Sequence, residues 1–151
     1  MIRKASLSDM KTVHRLIAEQ AKSGHILARA ISDLYSQVRD FSVYVDDEGG
    51  EIIGCAALHI VWEDLAEIRS LAVTTDRQRK GIGSQLIDAL LKESREMGVK
   101  RVFVLTDRTS LFESLGFALM DKSLLPHKIW ADCLRCTKFP ECDEVALART
   151  P

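Results

Sequence analysis

The segment Leu71-Ala72-Val73-Thr74-Thr75-Asp76-Arg77-Gln78-Arg79-Lys80-Gly81-Ile82-Gly83-Ser84 is the part of this 151-residue chain best suited to chemistry. An apolar run feeds a basic, glycine-containing turn, and the turn opens an amphipathic stretch. Gly81 and Gly83 let the backbone approach a ligand with no Cβ in the way. A helix beginning there offers unpaired N–H groups and the positive end of its dipole. Arg77, Arg79 and Lys80 add charge. Physically this is a cradle for a diphosphate. An ordinary solvated loop can have the same make-up, and glycines and charge alone do not separate the two. Two other phosphate cradles are excluded. There is no G-x-x-x-x-G-K-[ST], and no G-x-G-x-x-G follows the first strand.

The elements that must hold this loop follow from periodicity. Met1 to Lys4 reads as a strand, and Ser8 or Asp9 can cap a helix carrying Met10, Val13, Leu16 and Ile17. Ala30 to Val38 reads as a second helical stretch, after a loop over 24–29. Phe41 to Val45, Glu51 to Val61 and Ala66 to Val73 read as strands of an antiparallel meander, with a turn signal at 46–50. Leu86, Ile87, Leu90 and Leu91 mark one face of the helix after the glycine loop, and Gly98 reads as its C-terminal cap. Val99 to Leu105 is a further strand, and roughly Ser110 to Leu115 a short helix. The order β-α-α-β-β-β-α-β-α predicts an α+β domain around one mixed sheet.

Composition narrows the classes. A chain of this length holds one domain, and 46% hydrophobic residues supply a core. Lys+Arg number 21 against 22 Asp+Glu, a net of −1. That balance argues against a generic nucleic-acid or anionic-membrane binder. No apolar run approaches the roughly 20 residues that span a bilayer, and the start shows no apolar leader core, so a cytoplasmic location is expected. Cys55 sits in an apolar run. His127, Cys133, Cys136 and Cys142 are open to three readings: a structural zinc site, a packed thiol-containing flap, or a reversible Cys133–Cys136 disulfide. No metal is assigned.

Gln78-Arg79-Lys80-Gly81-Ile82-Gly83 resembles the Q/R-x-x-G-x-G/A signature of GNAT-type N-acetyltransferases. It lies between a strand and a helix, as in that family. The later element Leu111-Phe112-Glu113-Ser114-Leu115-Gly116-Phe117 resembles the family's F-Y-x-x-x-G-F. The segment from Val102 to Phe117, with Ser123-Leu124-Leu125-Pro126 after it, is similar to N-acetylglutamate synthases, and the tail from Leu125 to Cys133, with Cys136, Cys142, Asp143 and Glu144, resembles their short stand-alone bacterial version. The resemblance implies a single N-acetyltransferase domain over 1–151, with a cysteine-containing extension from about 122. It implies a GNAT-type mixed, mostly antiparallel sheet flanked by helices.

The resemblance also implies acetyl-CoA as donor. Backbone groups of Leu71, Ala72 and Val73 would pair with the pantetheine arm, and those of Gln78 to Ser84 would hold the diphosphate. The implied reaction is direct acetyl transfer to the α-amine of L-glutamate or L-glutamine, the first step of arginine biosynthesis. A homodimer is compatible with it. Glu67 stands where relatives place a general base, and Arg69 beside it is an acceptor-site candidate or simply its ion-pair partner. Arg108, with Thr106 and Ser110, and then Arg29 and Lys128, are candidates to grip acceptor carboxylates. Each could instead be a solvated or salt-bridged surface residue. Phe112 stands where many relatives have a proton-donating Tyr. Other readings are acetylation of another amine, such as a protein lysine or amino sugar, and a non-catalytic acetyl-CoA or arginine sensor.

Overall fold

The computed structural model describes residues 1–125 and 145–151. A short strand, β1 (Ile2–Lys4), leads into a single turn of 3₁₀ helix at Leu7–Asp9 and then α1 (Met10–Ala21). Of the two expected caps, Asp9 and not Ser8 stands at the N-cap of α1, while Ser6 caps the 3₁₀ turn before it. The Asp9 carboxylate reaches back to accept from the Ser6 N–H at 2.7 Å and from its hydroxyl at 3.0 Å. Arg3 clamps the same carboxylate at 2.7 and 3.1 Å. Together these donors, Arg3 foremost, lower the Asp9 pKa to about 2.

The stretch expected as one helix over Ala30 to Val38 divides. Helix α2 spans Ile31–Ser36, and a 3₁₀ turn follows at Val38–Asp40. Strands β2 (Phe41–Val45), β3 (Ile52–Trp62) and β4 (Leu65–Val73) form the expected antiparallel meander. A turn at Thr75–Arg77 precedes α3 (Ile82–Met97), which Gly98 terminates at φ +83°. Strand β5 (Arg101–Thr106) starts two residues later than expected and runs parallel to β4. Helix α4 covers Thr109–Ser114. Two further strands were not anticipated from sequence: β6 (Ala118–Met120) and β7 (Val145–Arg149). β7 inserts between β5 and β6, and among the described residues the seven-stranded order is β1-β2-β3-β4-β5-β7-β6.

Both faces of the sheet are covered. Leu86, Ile87, Leu90 and Leu91 of α3 pack on Ala56, Leu58, Ala66, Ile68, Val102 and Val104. On the other face Met10, Val13, Leu16 and Ile17 of α1, with Leu34 of α2, cover Phe41, Val43, Cys55 and Ala57. Val61, Phe103, Leu125, Ala146 and Ala148 form a third cluster. Gly54 is demanded by packing: a Cβ there would meet Ile82 and Leu86 at 3.2 Å, so this glycine lets the start of α3 settle on β3. No helix among the described residues is long and apolar enough to cross a membrane.

Candidate active site

The site begins where the sheet opens. β4 pairs with β5 only from Leu65↔Arg101 to Ile68↔Val104, and Arg69–Val73 continue without a β5 partner. The cause is local. Between Ala57↔Arg69 and Cys55↔Ala72 the β4 side holds one extra residue, and Ser70 sits there at φ +55°. A bulge of this kind bends and twists its strand, here away from β5. The backbone of Leu71 to Val73 therefore borders a gap. Part of that edge is already occupied, because the Val73 carbonyl accepts from Gln20 Nε2 and Gln78 Nε2, each at 3.1 Å. Gln78 Nε2 also donates to Gln20 Oε1 at 3.2 Å. The Gln78 side chain thus pins the loop to β4 and α1.

At the mouth of the gap, Arg79 adopts φ +64° and Gly81 φ +81°, and α3 starts at Ile82. Left-handed residues just before a helix turn successive N–H groups inward, a nest suited to an anion. Arg79, Lys80 and Gly81 are exposed and Ile82 is buried, while Gly83 and Ser84 lie between those extremes. A Cβ at Gly81 would find only Gln85 Nε2, at 3.8 Å, so its positive φ and not crowding makes glycine the easy residue. A Cβ at Gly83 would touch only Leu71, at 3.9 Å. Arg77 does not join the cradle: its guanidinium pairs with Asp46 at 2.8 Å.

Glu67 lies on the face opposite α3, since it alternates with Ala66 and Ile68. It is buried, and its carboxylate accepts from Arg69 Nε at 2.8 Å. Of the two readings left open for Arg69, the ion pair with Glu67 is present, and Arg69 is engaged in it.

Two loops meet beyond β4. His25 Nδ1 lies 3.1 Å from Asp107, joining the segment that carries Arg29 to the one that carries Arg108 across 82 residues of sequence. Arg29 donates to Gln37 Oε1 at 2.8 Å. The Thr106 hydroxyl accepts from the Arg108 N–H at 2.8 Å and shapes the entry to α4. Thr106 is buried and Ser110 exposed. The Arg108 guanidinium forms no ion pair among the described residues, in contrast to Arg3, Arg69 and Arg77. Phe112 is buried against Phe117, ring centroids 5.3 Å apart and edge-on. That aromatic is core and offers no proton.

This geometry fits one family, whose profile, that of the acetyltransferase (GNAT) family, matches residues 11–117. The chain belongs to the GNAT family. An uncharacterized N-acetyltransferase of Chlorobaculum tepidum is 38% identical over 149 residues, covering 99% of this chain and 95% of that protein. An amino-acid acetyltransferase of Mycobacterium tuberculosis is 33% identical over 136 residues, covering 89% and 78%. Among solved structures, the N-acetylglutamate synthase from Neisseria gonorrhoeae, complexed with coenzyme A and N-acetyl-glutamate, superposes with a TM-score of 0.88 at 28% identity. The match covers 99% of this chain and 34% of that one.

Within this GNAT chain, Lys128, His127, Cys133, Cys136 and Cys142 lie outside the described residues. Sequence reading missed Gln20, His25, Gly54, Ser70 and Asp107. Only Gly54 left a trace, as a glycine inside an apolar strand. Acetyl-CoA as the donor fits, since the solved synthase above is complexed with coenzyme A.

Proposed function

We propose that this GNAT chain transfers the acetyl group of acetyl-CoA to the α-amine of L-glutamate or L-glutamine, in the first step of arginine biosynthesis. The observation that carries the donor half is the left-handed pair Arg79 and Gly81 opening α3 beside an unpaired stretch of β4. Main-chain N–H groups from Arg79 to Ser84 receive the diphosphate. The pantetheine amides, which need partners once buried, use Leu71 and the N–H of Val73, whose carbonyl is already taken.

Arg108 and Arg29 suit an amino-acid acceptor, because guanidinium groups grip carboxylates with two parallel hydrogen bonds. The acceptor ammonium loses a proton to Glu67, directly or through one water, and the free amine attacks the thioester carbonyl. A C–N bond forms and the C–S bond breaks, and the released thiolate takes the second proton of the attacking nitrogen, leaving the amide and the CoA thiol. The thiolate leaves without a side-chain donor, which a thiol of pKa about 8.5 permits. Support for the amino-acid acceptor is the likeness to relatives named for that substrate class.

Steady-state kinetics with L-glutamate and L-glutamine, with and without L-arginine, test the reading. Saturable N-acetylation of one of them is expected. Tight acetyl-CoA binding with no turnover on either, or turnover only on a peptide lysine or an amino sugar, overturns the acceptor assignment.

A further inference from the structure

An aspartate–histidine pair sits beside Glu67, and nothing in the reaction so far uses it. His59 of β3 is the direct cross-strand partner of Glu67, within the unbroken run Ala57↔Arg69, Leu58↔Ile68, His59↔Glu67, Ile60↔Ala66. Directly opposed residues share a face, with Cβ atoms about 4.5–5.5 Å apart. The Asp40 carboxylate, from the 3₁₀ turn before β2, lies 2.7 Å from His59 Nδ1. An ionised carboxylate only accepts, so the bond requires the proton on Nδ1. In the neutral ring Nε2 then carries the lone pair. The burial gradient runs outward: the side chain of Glu67 is 9% exposed, while that of His59 is 31% and that of Asp40 25% exposed.

Glu67 has a turnover problem that this pair can solve. Each cycle leaves one proton on a buried carboxyl group that must be ionised again before the next. Arg69 faces the same carboxylate but carries no lone pair to accept a proton. We propose that His59, oriented by Asp40, relays the proton from Glu67 to solvent. The step balances simply. The ammonium N–H breaks as the Glu67 O–H forms; that O–H then breaks as an N–H forms on His59 Nε2, and the imidazolium passes its proton to water. His59 acts through Glu67 and is a positioning and relay residue. The charged groups that bonding and strand register place beside it are Asp40 from the 3₁₀ turn and Glu67 from β4, the latter held by Arg69.

The proposal rests on Glu67 as the base, and the experiment separates the two. Wild type, Glu67→Gln, His59→Gln, His59→Ala and Asp40→Asn are assayed with acetyl-CoA and L-glutamate or L-glutamine across pH, with thermal unfolding alongside. For His59→Gln the expected result is a fall in kcat of about tenfold, at the low end of what proton-transfer groups contribute. The acetyl-CoA KM and the melting temperature stay close to wild type. The acidic limb of the kcat profile changes shape, and added imidazole restores part of the rate in His59→Ala. Asp40→Asn shows a smaller loss in kcat. A His59→Gln enzyme with wild-type kcat and pH profile, while Glu67→Gln is inactive, overturns the relay and leaves the base in place. A loss that tracks the melting temperature and resists imidazole also overturns it. An active Glu67→Gln enzyme overturns the base assignment itself.

Discussion

Gly81 offers a perturbation in which conformation and charge can be separated. Asn and Asp both tolerate the left-handed region better than other residues with a Cβ, and a Cβ there meets nothing closer than 3.8 Å. Gly81→Asn and Gly81→Asp should therefore fold alike and differ by one negative charge beside the cradle. A diphosphate held about 5 Å from that carboxylate and carrying about two charges is repelled by roughly 1.7 kcal/mol in water. Screening reduces this to about 1.4 kcal/mol at 0.01 M salt, about 0.9 at 0.15 M and about 0.3 at 1 M. The Asp variant should thus bind acetyl-CoA about tenfold more weakly than the Asn variant at low salt, about fivefold at physiological salt and less than twofold at 1 M. Calorimetric titration with CoA at the three salt concentrations reads these ratios directly. Equal affinities at low salt, or a ratio that ignores salt, would refute a diphosphate at this turn.

Four further outcomes are expected. Arg108→Ala should raise the acceptor KM about 10- to 100-fold, the range for a hydrogen bond to a charged group, with acetyl-CoA KM and melting temperature little changed; equal loss on both substrates counts against an acceptor role. Asp9, with its pKa lowered to about 2 by Arg3, contributes stability that is complete above the unfolded value near 3.8 and is lost as pH falls toward 2. Asp9→Asn should cost about 1–2 kcal/mol at pH 7, after allowance for the partly exposed Arg3, and flatten the melting temperature between pH 4 and 2. Burial pushes the Cys55 thiol up to about 12, so mass mapping after alkylation should find it unmodified in native protein and labelled only after denaturation. Gly54→Ala should lose about 1–3 kcal/mol by overpacking against Ile82 and Leu86, and weaken CoA binding by shifting the start of α3.

The meander, α3 and the glycine loop were legible because their signals are local and periodic. Ile, Ala and Leu runs bounded by turn residues read as strands, and Leu86, Ile87, Leu90 and Leu91 fall on one helical face. Alternation put Glu67 and Arg69 on one face, but their pairing was only one of two readings until the 2.8 Å contact decided it. What escaped depends on contacts between distant residues. Ser70 carries no mark of the bulge that opens the sheet. His25 and Asp107 meet only through the fold, and the amide of Gln20 reaches β4 from a helix that reads as simply amphipathic. The place of β7 between β5 and β6 depends on pairing with strands far earlier in the chain, which no local signal carries. Arg77 looked like part of the basic turn until its partner Asp46, in the hairpin before β3, came into view.

The most direct test is a crystal structure of the protein with CoA and an N-acetylated amino acid. The diphosphate should rest against the main-chain N–H groups from Arg79 to Ser84, the pantetheine should lie along Leu71 to Val73, and a carboxylate of the amino acid should meet Arg108. A CoA lodged at another surface, with the β4 edge empty, would contradict the assignment of this site.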